Sequence, residues 1–168
     1  MSDGITLRIA RQDDISALDR LFRRSYSRLL KADYSPSVLT TVVPMIARAQ
    51  PDLVISGHFY VVEEEGSAIL GAGGWSLQPP GGLPAKQGIG HIRHVATDPD
   101  TTRRGVARHI LNHIVTVARE AGLSALHCQS TLTAKPFYEA VGFVTQGQTT
   151  LKLRGGIEFP AVQMVRLL

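Results

Sequence analysis

A short segment with three arginines has the composition of an anion-binding site. Residues 101–111 read TTRRGVARHIL, and they open a predicted helix that carries Arg103, Arg104 and Arg108. The amino terminus of a helix already has free N–H groups and a partial positive charge. Each arginine there costs roughly a few tenths of a kcal/mol unless an anion is bound nearby. The segment therefore predicts a site for a phosphate group.

Small residues in the same segment leave room for the backbone to approach a ligand. Gly105 has no side chain and Ala107 has a short one, as a phosphate cradle at a helix terminus requires. The alternative is an ordinary helix start, capped by Thr101 or Thr102, with solvated arginines. A Walker loop needs Gly-Lys-Ser/Thr and a dinucleotide fingerprint needs three spaced glycines, and the segment has neither. A pyrophosphate here would be held in another way.

The other reactive residues form no pattern of a metal centre or a covalent enzyme. His109 and His113 are one helical turn apart, but the third ligand and the glutamate of the zinc-protease motif are missing from the pattern. Cys128 lies in an apolar strand, which predicts a buried small side chain rather than a nucleophile. The arginines lack interleaved aromatic residues and the net charge is only +4, so nucleic-acid binding is the weakest hypothesis. We expect no metal and no nucleic-acid partner.

Changes of hydrophobic periodicity place these residues on a mixed α/β (α+β) framework, in the order β-α-α-β-β-β-α-β-α-β-β. The predicted strands are 5–10, 58–63, 68–77, 91–97, 124–129, 143–153 and 157–168. The predicted helices run from Asp13 or Asp14 to about Lys31, from Ser35 at least to Ile46, from Arg103 to Ala121 and from Thr133 to Ala140. Glycines at 71, 73 and 74 indicate a bulge or a close backbone approach in the third strand.

The length and composition predict one folded domain, 1–168. Of the 168 residues, 43% are hydrophobic and 19% are charged, which is typical of globular proteins and excludes intrinsic disorder. A single cysteine cannot form an internal disulfide, and no signal-like apolar run begins the chain, so we expect a cytoplasmic location. No segment approaches the roughly 20 apolar residues of a membrane helix, so we expect no membrane insertion.

Two segments of the second half, HIRHVATDPDTTRRGVARHIL and AKPFYEAVGF, resemble the GCN5-related N-acetyltransferase (GNAT) superfamily. The resemblance covers about the last 80 residues in order, and the preceding helices and strands also fit. It implies a mixed, mostly antiparallel central sheet flanked by helices. It also implies transfer of an acetyl group from acetyl-CoA to a primary amine of a small molecule or a protein, by direct attack in a ternary complex. A homodimer is expected only by analogy with relatives.

The resemblance also assigns residues that bind the cofactor. The family's pyrophosphate loop maps to 102–107, and Thr102 stands where the family usually has Arg or Gln. The strand before the loop would pair its backbone with the pantetheine arm, and Thr131 takes the place of an asparagine that binds the same arm. The implied contacts are Val95, Ala96, Thr97, Thr102, Arg103, Arg104, Gly105, Val106, Ala107, Arg108 and Thr131.

Two residues are expected to carry out the proton transfers. The resemblance maps the tyrosine that protonates the departing CoA thiolate to Tyr138, whose hydroxyl could instead anchor its helix to the sheet. His91 shares a predicted strand face with Arg93, Val95 and Thr97, so it is the candidate base, with an exposed strand histidine as the alternative. A second hypothesis for the whole chain is a catalytically weak or inactive CoA-binding sensor or interaction module of the same fold.

Overall fold

The computed structural model describes residues 4–66 and 68–168 and contains one seven-stranded sheet. The strand order is β1-β2-β3-β4-β5-β7-β6, and all neighbours are antiparallel except the parallel pair β4 and β5. This confirms the predicted mixed, mostly antiparallel sheet. The strands are β1 Ile5–Ile9, β2 Phe59–Glu64, β3 Ile69–Ser76, β4 Ile89–Thr97, β5 Ala125–Thr131, β6 Val144–Leu153 and β7 Ile157–Leu167.

Helices cover both faces of the sheet, as the sequence predicts. They are α1 Ile15–Leu29, α2 Pro36–Ile46, α3 Pro51–Val54, α4 Val106–Glu120 and α5 Lys135–Ala140. The short helix α3 is an addition to the predicted order, and it begins with a proline in its first turn, where a missing N–H costs no hydrogen bond. No helix of the described ranges is both long and apolar enough to cross a membrane.

Several predicted helix and strand ends are wrong. The helix α4 begins at Val106 rather than Arg103, because a 3-10 turn at Pro99–Thr101 and the left-handed Gly105 precede it. β5 continues to Thr131, and α5 begins at Lys135 rather than Thr133.

Asp14 precedes α1, but its carboxylate does not cap that helix. It accepts hydrogen bonds from the Arg11 amide at 2.7 Å and from the Arg8 guanidinium at 2.8 and 2.9 Å. Arg8 also contacts Glu63 of β2 at 3.0 Å. The Arg8 guanidinium holds the pKa of the Asp14 carboxyl below its usual value. This ion-pair network ties the start of α1 to the edge strand β1 and to its neighbour β2.

The sheet separates two apolar cores. On one face, α1 and α2 pack over side chains such as Phe59, Val61 and Ala96. On the other face, α4 and α5 pack over Ile92, Leu126 and Met164 among others. A path from one core to the other must therefore pass through the sheet.

β4 and β5 provide such a path because they separate after a short pairing. Their parallel register covers only Ile89–His91 against Ala125–His127. Beyond these residues β5 continues beside β7 up to Thr131, and β4 continues beside β3 up to Thr97. Within the described residues, the edge of β4 from Ile92 to Thr97 has no strand on its β5 side.

A bulge in β4 lies at this same opening. The β3–β4 register shifts between Ala72 and Gly74, opposite His94, which has φ +51 and is the one described non-glycine residue with a positive φ. The left-handed conformation is uncommon for such residues, although histidine adopts it more readily than most. The extra residue of this bulge lies in β4 and not in the glycine-rich strand β3. The close approach that the glycines at 71, 73 and 74 indicated is present, because a Cβ on each would lie 2.4 to 2.8 Å from a neighbouring atom.

We expect Gly74→Ala to destabilise the protein by about 1–3 kcal/mol or more. An added Cβ would lie 2.4 Å from the backbone oxygen of His58 and 2.9 Å from Cα of Phe59, so main chain would have to move. Gly90→Ala is the matched control, since its Cβ meets the ends of the Leu123 and Leu126 side chains, which can rotate. Urea denaturation measures both, and equal losses of stability would contradict this account of the close backbone approach at Gly74.

Candidate active site

A cavity of about 450 Å³ lies where β4 and β5 separate, and it reaches both cores. Its α4 and α5 side is lined by Ile92, Val95, Thr97, Thr102, Ala107, Thr131, Thr133, Ala134, Phe137 and Tyr138. Its α1 and α2 side is lined by Ser25, Tyr26, Leu29, Leu30, Ile46, His94, Leu151 and Phe159. Cys128, Gln129 and Ser130 of β5 form the remaining wall. The cavity therefore connects the two faces of the sheet.

Six of the predicted site residues line this one cavity. They are Val95, Thr97, Thr102, Ala107, Thr131 and Tyr138. Ala96 is buried on the opposite face of β4, where it pairs with Ala72 of β3, so only its backbone is near the opening. Val106 is buried in the core beneath the loop. Arg103, Arg104, Gly105 and Arg108 are exposed on the loop and the first turn of α4.

The loop before α4 presents backbone amides. Gly105 is the N-cap with φ +74, and a Cβ placed on it would meet nothing within 4 Å. Within the described chain, no side chain caps the first turn of α4, whose amides lack partners inside the helix. These amides and the helix dipole make the turn suited to a phosphate.

The arginines of the loop differ in their contacts. Arg104 donates to both carboxylate oxygens of Glu64 at 2.9 and 3.2 Å, which lowers the pKa of that carboxyl. This ion pair holds the loop against β2. Arg24 of α1 contacts Asp98 at 3.3 Å and Asp100 at 3.2 Å, just before the loop. The loop is thus fastened to both faces of the sheet.

The end of β5 carries two threonines with different surroundings. The Thr131 hydroxyl oxygen accepts a hydrogen bond from the Ala134 amide at 3.1 Å, so it shapes the turn before α5 and keeps its own O–H available for donation. The hydroxyl of Thr133 is buried without a partner among the described residues. Both line the cavity, and a ligand with amide groups would satisfy them.

Tyr138 is buried at the cavity with its phenol protonated. Burial raises its pKa well above 10, and the neighbouring Cys128 thiol raises it further. Burial also raises the pKa of Cys128 to about 12, so the predicted small buried side chain is confirmed and no thiolate forms near neutral pH. The cavity therefore disfavours anionic side chains and keeps a proton on Tyr138.

The structure does not bring His91 next to Tyr138. His91 lines a neighbouring cavity of about 570 Å³, with its ring centroid 5.6 Å from that of His127. The two cavities share Ile92, Cys128 and Gln129 as walls. Burial, followed by the charges of His127 and Arg93, lowers the pKa of His91. Its role as a base stays a prediction.

His94 lines the cavity, and the sequence did not identify it. Its ring lies edge-on to Phe22 of α1 with centroids 4.9 Å apart, and its Nδ1 is buried without a hydrogen-bond partner among the described residues. Burial, with the nearby Arg93 charge, lowers its pKa to about 4, so the ring is uncharged at neutral pH. Strict alternation along β4 would have placed Val95 on the face of His91, but the bulge puts Val95 beside Ile92 in the α4 core instead. The predicted common face is therefore wrong.

His109 and His113 do not belong to a metal site in the described residues. His113 contacts the ring of Tyr60 edge-on, with centroids 4.6 Å apart. Within 4–66 and 68–168 there is no group of three or more His, Cys, Asp or Glu side chains arranged to hold a metal ion.

Comparison with known proteins agrees with this geometry. The model of the acetyltransferase (GNAT) family matches residues 17–143. The chain is 26% identical over 153 residues to the N-acetyltransferase YafP of Escherichia coli K12, whose own function is uncharacterised. That match covers 91% of this chain and 90% of the relative.

Solved structures with the same fold include two acetyltransferases that match over nearly their whole lengths. A GCN5-related N-acetyltransferase from Rhodopseudomonas palustris has a TM-score of 0.78 at 19% identity, covering 100% of this chain and 98% of the other. The PaiA N-acetyltransferase from Thermoplasma acidophilum, solved with coenzyme A, has a TM-score of 0.73 at 13% identity and full coverage of both chains. At these identities the similarity establishes the fold.

We expect Gly105→Asp to weaken CoA binding at least tenfold, with Gly105→Asn as the neutral control of the same size. Asn and Asp both tolerate the left-handed backbone at this position. At 4 Å, two like charges repel by about 1 kcal/mol in water and by about 4 kcal/mol near a protein surface. Calorimetric titration with CoA measures the two dissociation constants. Equal values for the two variants would contradict the prediction that a phosphate of CoA binds at this loop.

Proposed function

This chain belongs to the GNAT family of acetyltransferases, and we propose that it transfers the acetyl group of acetyl-CoA to a primary amine by direct attack in a ternary complex. The observation that carries the proposal is the cavity through the sheet. It joins the amide-rich loop before α4, the free edge of β4 and the protonated Tyr138. Two reactants that enter from opposite faces would meet inside it.

The cofactor would bind along the α4 side of the opening. The pyrophosphate would lie at 102–107, where loop amides and the exposed side chains of Arg103 and Arg108 offset its charge. The pantetheine arm would extend along Ile92–Thr97 and hydrogen-bond the backbone in the position of a missing strand. The coenzyme A complex of the PaiA enzyme, which has the same fold, supports acetyl-CoA as the co-substrate.

The chemistry forms one bond and breaks one. The amine nitrogen attacks the thioester carbonyl carbon, and a backbone N–H near Val95 stabilises the oxygen of the tetrahedral intermediate. Collapse of the intermediate breaks the C–S bond, and Tyr138 donates its proton to the departing thiolate. The amine loses one proton to solvent, which returns a proton to Tyr138. The products are the N-acetylated amine and CoA.

The high pKa of Tyr138 suits this role because the thiolate would be equally desolvated. An ordinary thiol has a pKa of about 8.5. The buried thiol of Cys128 in the same cavity has a pKa of about 12. A CoA thiolate formed beside it would become similarly basic, and it would take the proton of the adjacent Tyr138 phenol. A base for the amine remains a role predicted for His91, through water, from the adjoining cavity.

Two further properties remain proposals. A cytoplasmic location is proposed because the single cysteine, Cys128, is a buried free thiol. Free thiols are typical of proteins in a reducing compartment. A homodimer rests on analogy with relatives.

We expect Tyr138→Phe to lower kcat by about a hundredfold or more while leaving the dissociation constant of CoA unchanged, as the loss of a general acid requires. Tyr60→Phe is the matched control. It also removes one buried hydroxyl, which accepts a hydrogen bond from Trp75 at 3.4 Å, but it lies outside the cavity. Release of the CoA thiol with an excess of amine measures kcat.

The alternative of a CoA-binding sensor predicts a different result. CoA would bind, no amine would be acetylated, and Tyr138→Phe would change neither property. If the enzyme is active and wild type and Tyr138→Phe have equal kcat, Tyr138 is not the general acid. The proposed acetyltransferase activity would still stand.

A further inference from the structure

The α1 and α2 side of the cavity carries no charge. Within the described residues, no Asp, Glu, Lys or Arg lines the cavity on either side. The α1 and α2 side is formed by apolar side chains together with Ser25, Tyr26 and His94. The titratable groups that face the cavity are Tyr26, His94, Cys128 and Tyr138. Burial raises the pKa of the two tyrosines and of Cys128 and lowers that of His94, so all four are uncharged at neutral pH.

Three charged side chains of α1 and β4, the elements that form part of this wall, are engaged with other partners. Arg24 and Arg28 of α1 pair with Asp98 and Asp100 outside the cavity. Arg93 donates to Ser76 at 3.0 Å and to Gln50 at 2.9 Å, and its positive charge lowers the pKa of His94. An ammonium group entering the cavity would meet no carboxylate and would be repelled by Arg93. Burying such a charge without a partner costs several kcal/mol.

The wall also has a fixed shape. The Tyr34 hydroxyl donates to the Pro160 carbonyl at 2.6 Å and accepts from the Leu132 amide at 2.9 Å, joining the start of α2 to β7 and to the end of β5. Its ring stacks on Phe159 with centroids 4.5 Å apart. An engineered cavity of about 150 Å³ holds benzene. A part of the 450 Å³ here is thus sufficient for one ring beside the end of the pantetheine arm.

One polar atom on this wall lacks a partner. Nδ1 of His94 is buried and unpaired within the described chain, and the left-handed backbone of the bulge fixes the direction of the ring. An unpaired buried polar atom costs about 1–3 kcal/mol, which a ligand group at the same place would recover. An N–H of an uncharged amine is such a group.

We propose that the acceptor is a small apolar amine of low basicity, with an arylamine as the type, which enters uncharged from the α1 and α2 side and hydrogen-bonds Nδ1 of His94. This inference rests on the proposed acetyltransferase function and names its substrate class. Low basicity also removes the need for a strong base in the cavity. An aliphatic amine with a pKa of about 10.4 is uncharged in only about one molecule in a few thousand at pH 7. An arylamine is uncharged there.

Aniline and benzylamine are a matched pair for the test, since they share a ring and differ in basicity. With acetyl-CoA at pH 7, we expect kcat/KM for aniline to exceed that for benzylamine and for putrescine at least tenfold. The ratio to benzylamine should narrow as the pH rises to 9, because the uncharged fraction of benzylamine grows. A preference for benzylamine or putrescine at pH 7 would overturn the inference and leave the acetyltransferase function standing. Acetylation of none of the three, with CoA bound, would also overturn the inference, and release of the CoA thiol with other primary amines would then decide between an acetyltransferase and a CoA-binding sensor.

Substitution at Leu29 tests the uncharged wall directly. Leu29 is only half-buried, so Leu29→Asp and its neutral counterpart Leu29→Asn are both expected to fold. An unchanged dissociation constant for CoA would show that each variant is folded. A carboxylate at this position should lower the aniline-to-benzylamine ratio at least fivefold, whereas Leu29→Asn should not. Equal ratios in the two variants would contradict an electrostatic origin of the preference.

His94→Gly tests the hydrogen bond, because glycine accepts the left-handed backbone. We expect KM for aniline to rise at least fivefold with an unchanged CoA dissociation constant, and added imidazole to restore part of the loss. A structural role alone would change CoA affinity as well and would not respond to imidazole. An unchanged KM for aniline would show that His94 does not bind the acceptor.

Discussion

The separation of β4 from β5 is the constraint on which the rest of the molecule depends. Two parallel strands that pair over three residues and then diverge leave the backbone N–H and C=O groups on one edge of β4, from Ile92 to Thr97, without a neighbouring described strand in the middle of the sheet. Buried groups of this kind cost about 1–3 kcal/mol each when they stay unpaired. A ligand that runs between the strands would supply the missing partners. The opening is thus both a defect of the sheet and the reason for a cavity that crosses it.

Other parts of the fold hold the opening in place from both faces. On one side, Arg24 and Arg28 of α1 form ion pairs with Asp98 and Asp100 in the turn after β4. The Tyr34 hydroxyl hydrogen-bonds both β7 and the residue that follows β5. On the other side, Arg104 ties the loop before α4 to Glu64. The loop before α4 and the α1 and α2 wall differ in charge. The loop exposes arginines and amides, whereas the α1 and α2 wall is uncharged, and this difference supports our proposal of an anionic cofactor at one and a neutral acceptor at the other.

Much of this arrangement could be predicted from sequence because its signals are local. Period-two strands and the helix that follows Gly105 are each recognised within a dozen residues, and they predicted the order of elements. The six cavity residues and the mostly antiparallel sheet were implied by the resemblance of TTRRGVARHIL, FYEAVGF and their flanks to the GNAT superfamily. The bulge could not be predicted in the same way. It adds one residue to β4, so every side chain beyond Arg93 changes face relative to strict alternation. His94 and the position of Val95 were missed for that reason.

Long-range pairings were missed for a different reason. The contacts of Asp14 with Arg8 and of Arg104 with Glu64 join residues whose neighbourhood depends on how the sheet is assembled, so no local sequence pattern indicates either pair. The uncharged acceptor wall is likewise drawn from α1, α2, β4, β6 and β7, and no single segment carries its pattern.

Hydrogen exchange of backbone amides with and without CoA tests the central claim most directly. If the cofactor occupies the opening as a strand would, amides of Ile92–Thr97 and of the first turn of α4 become protected when CoA binds, while amides along the β6–β7 hairpin do not change. Protection confined to other regions, with CoA bound at saturation, would show that the separated strands are not the cofactor site.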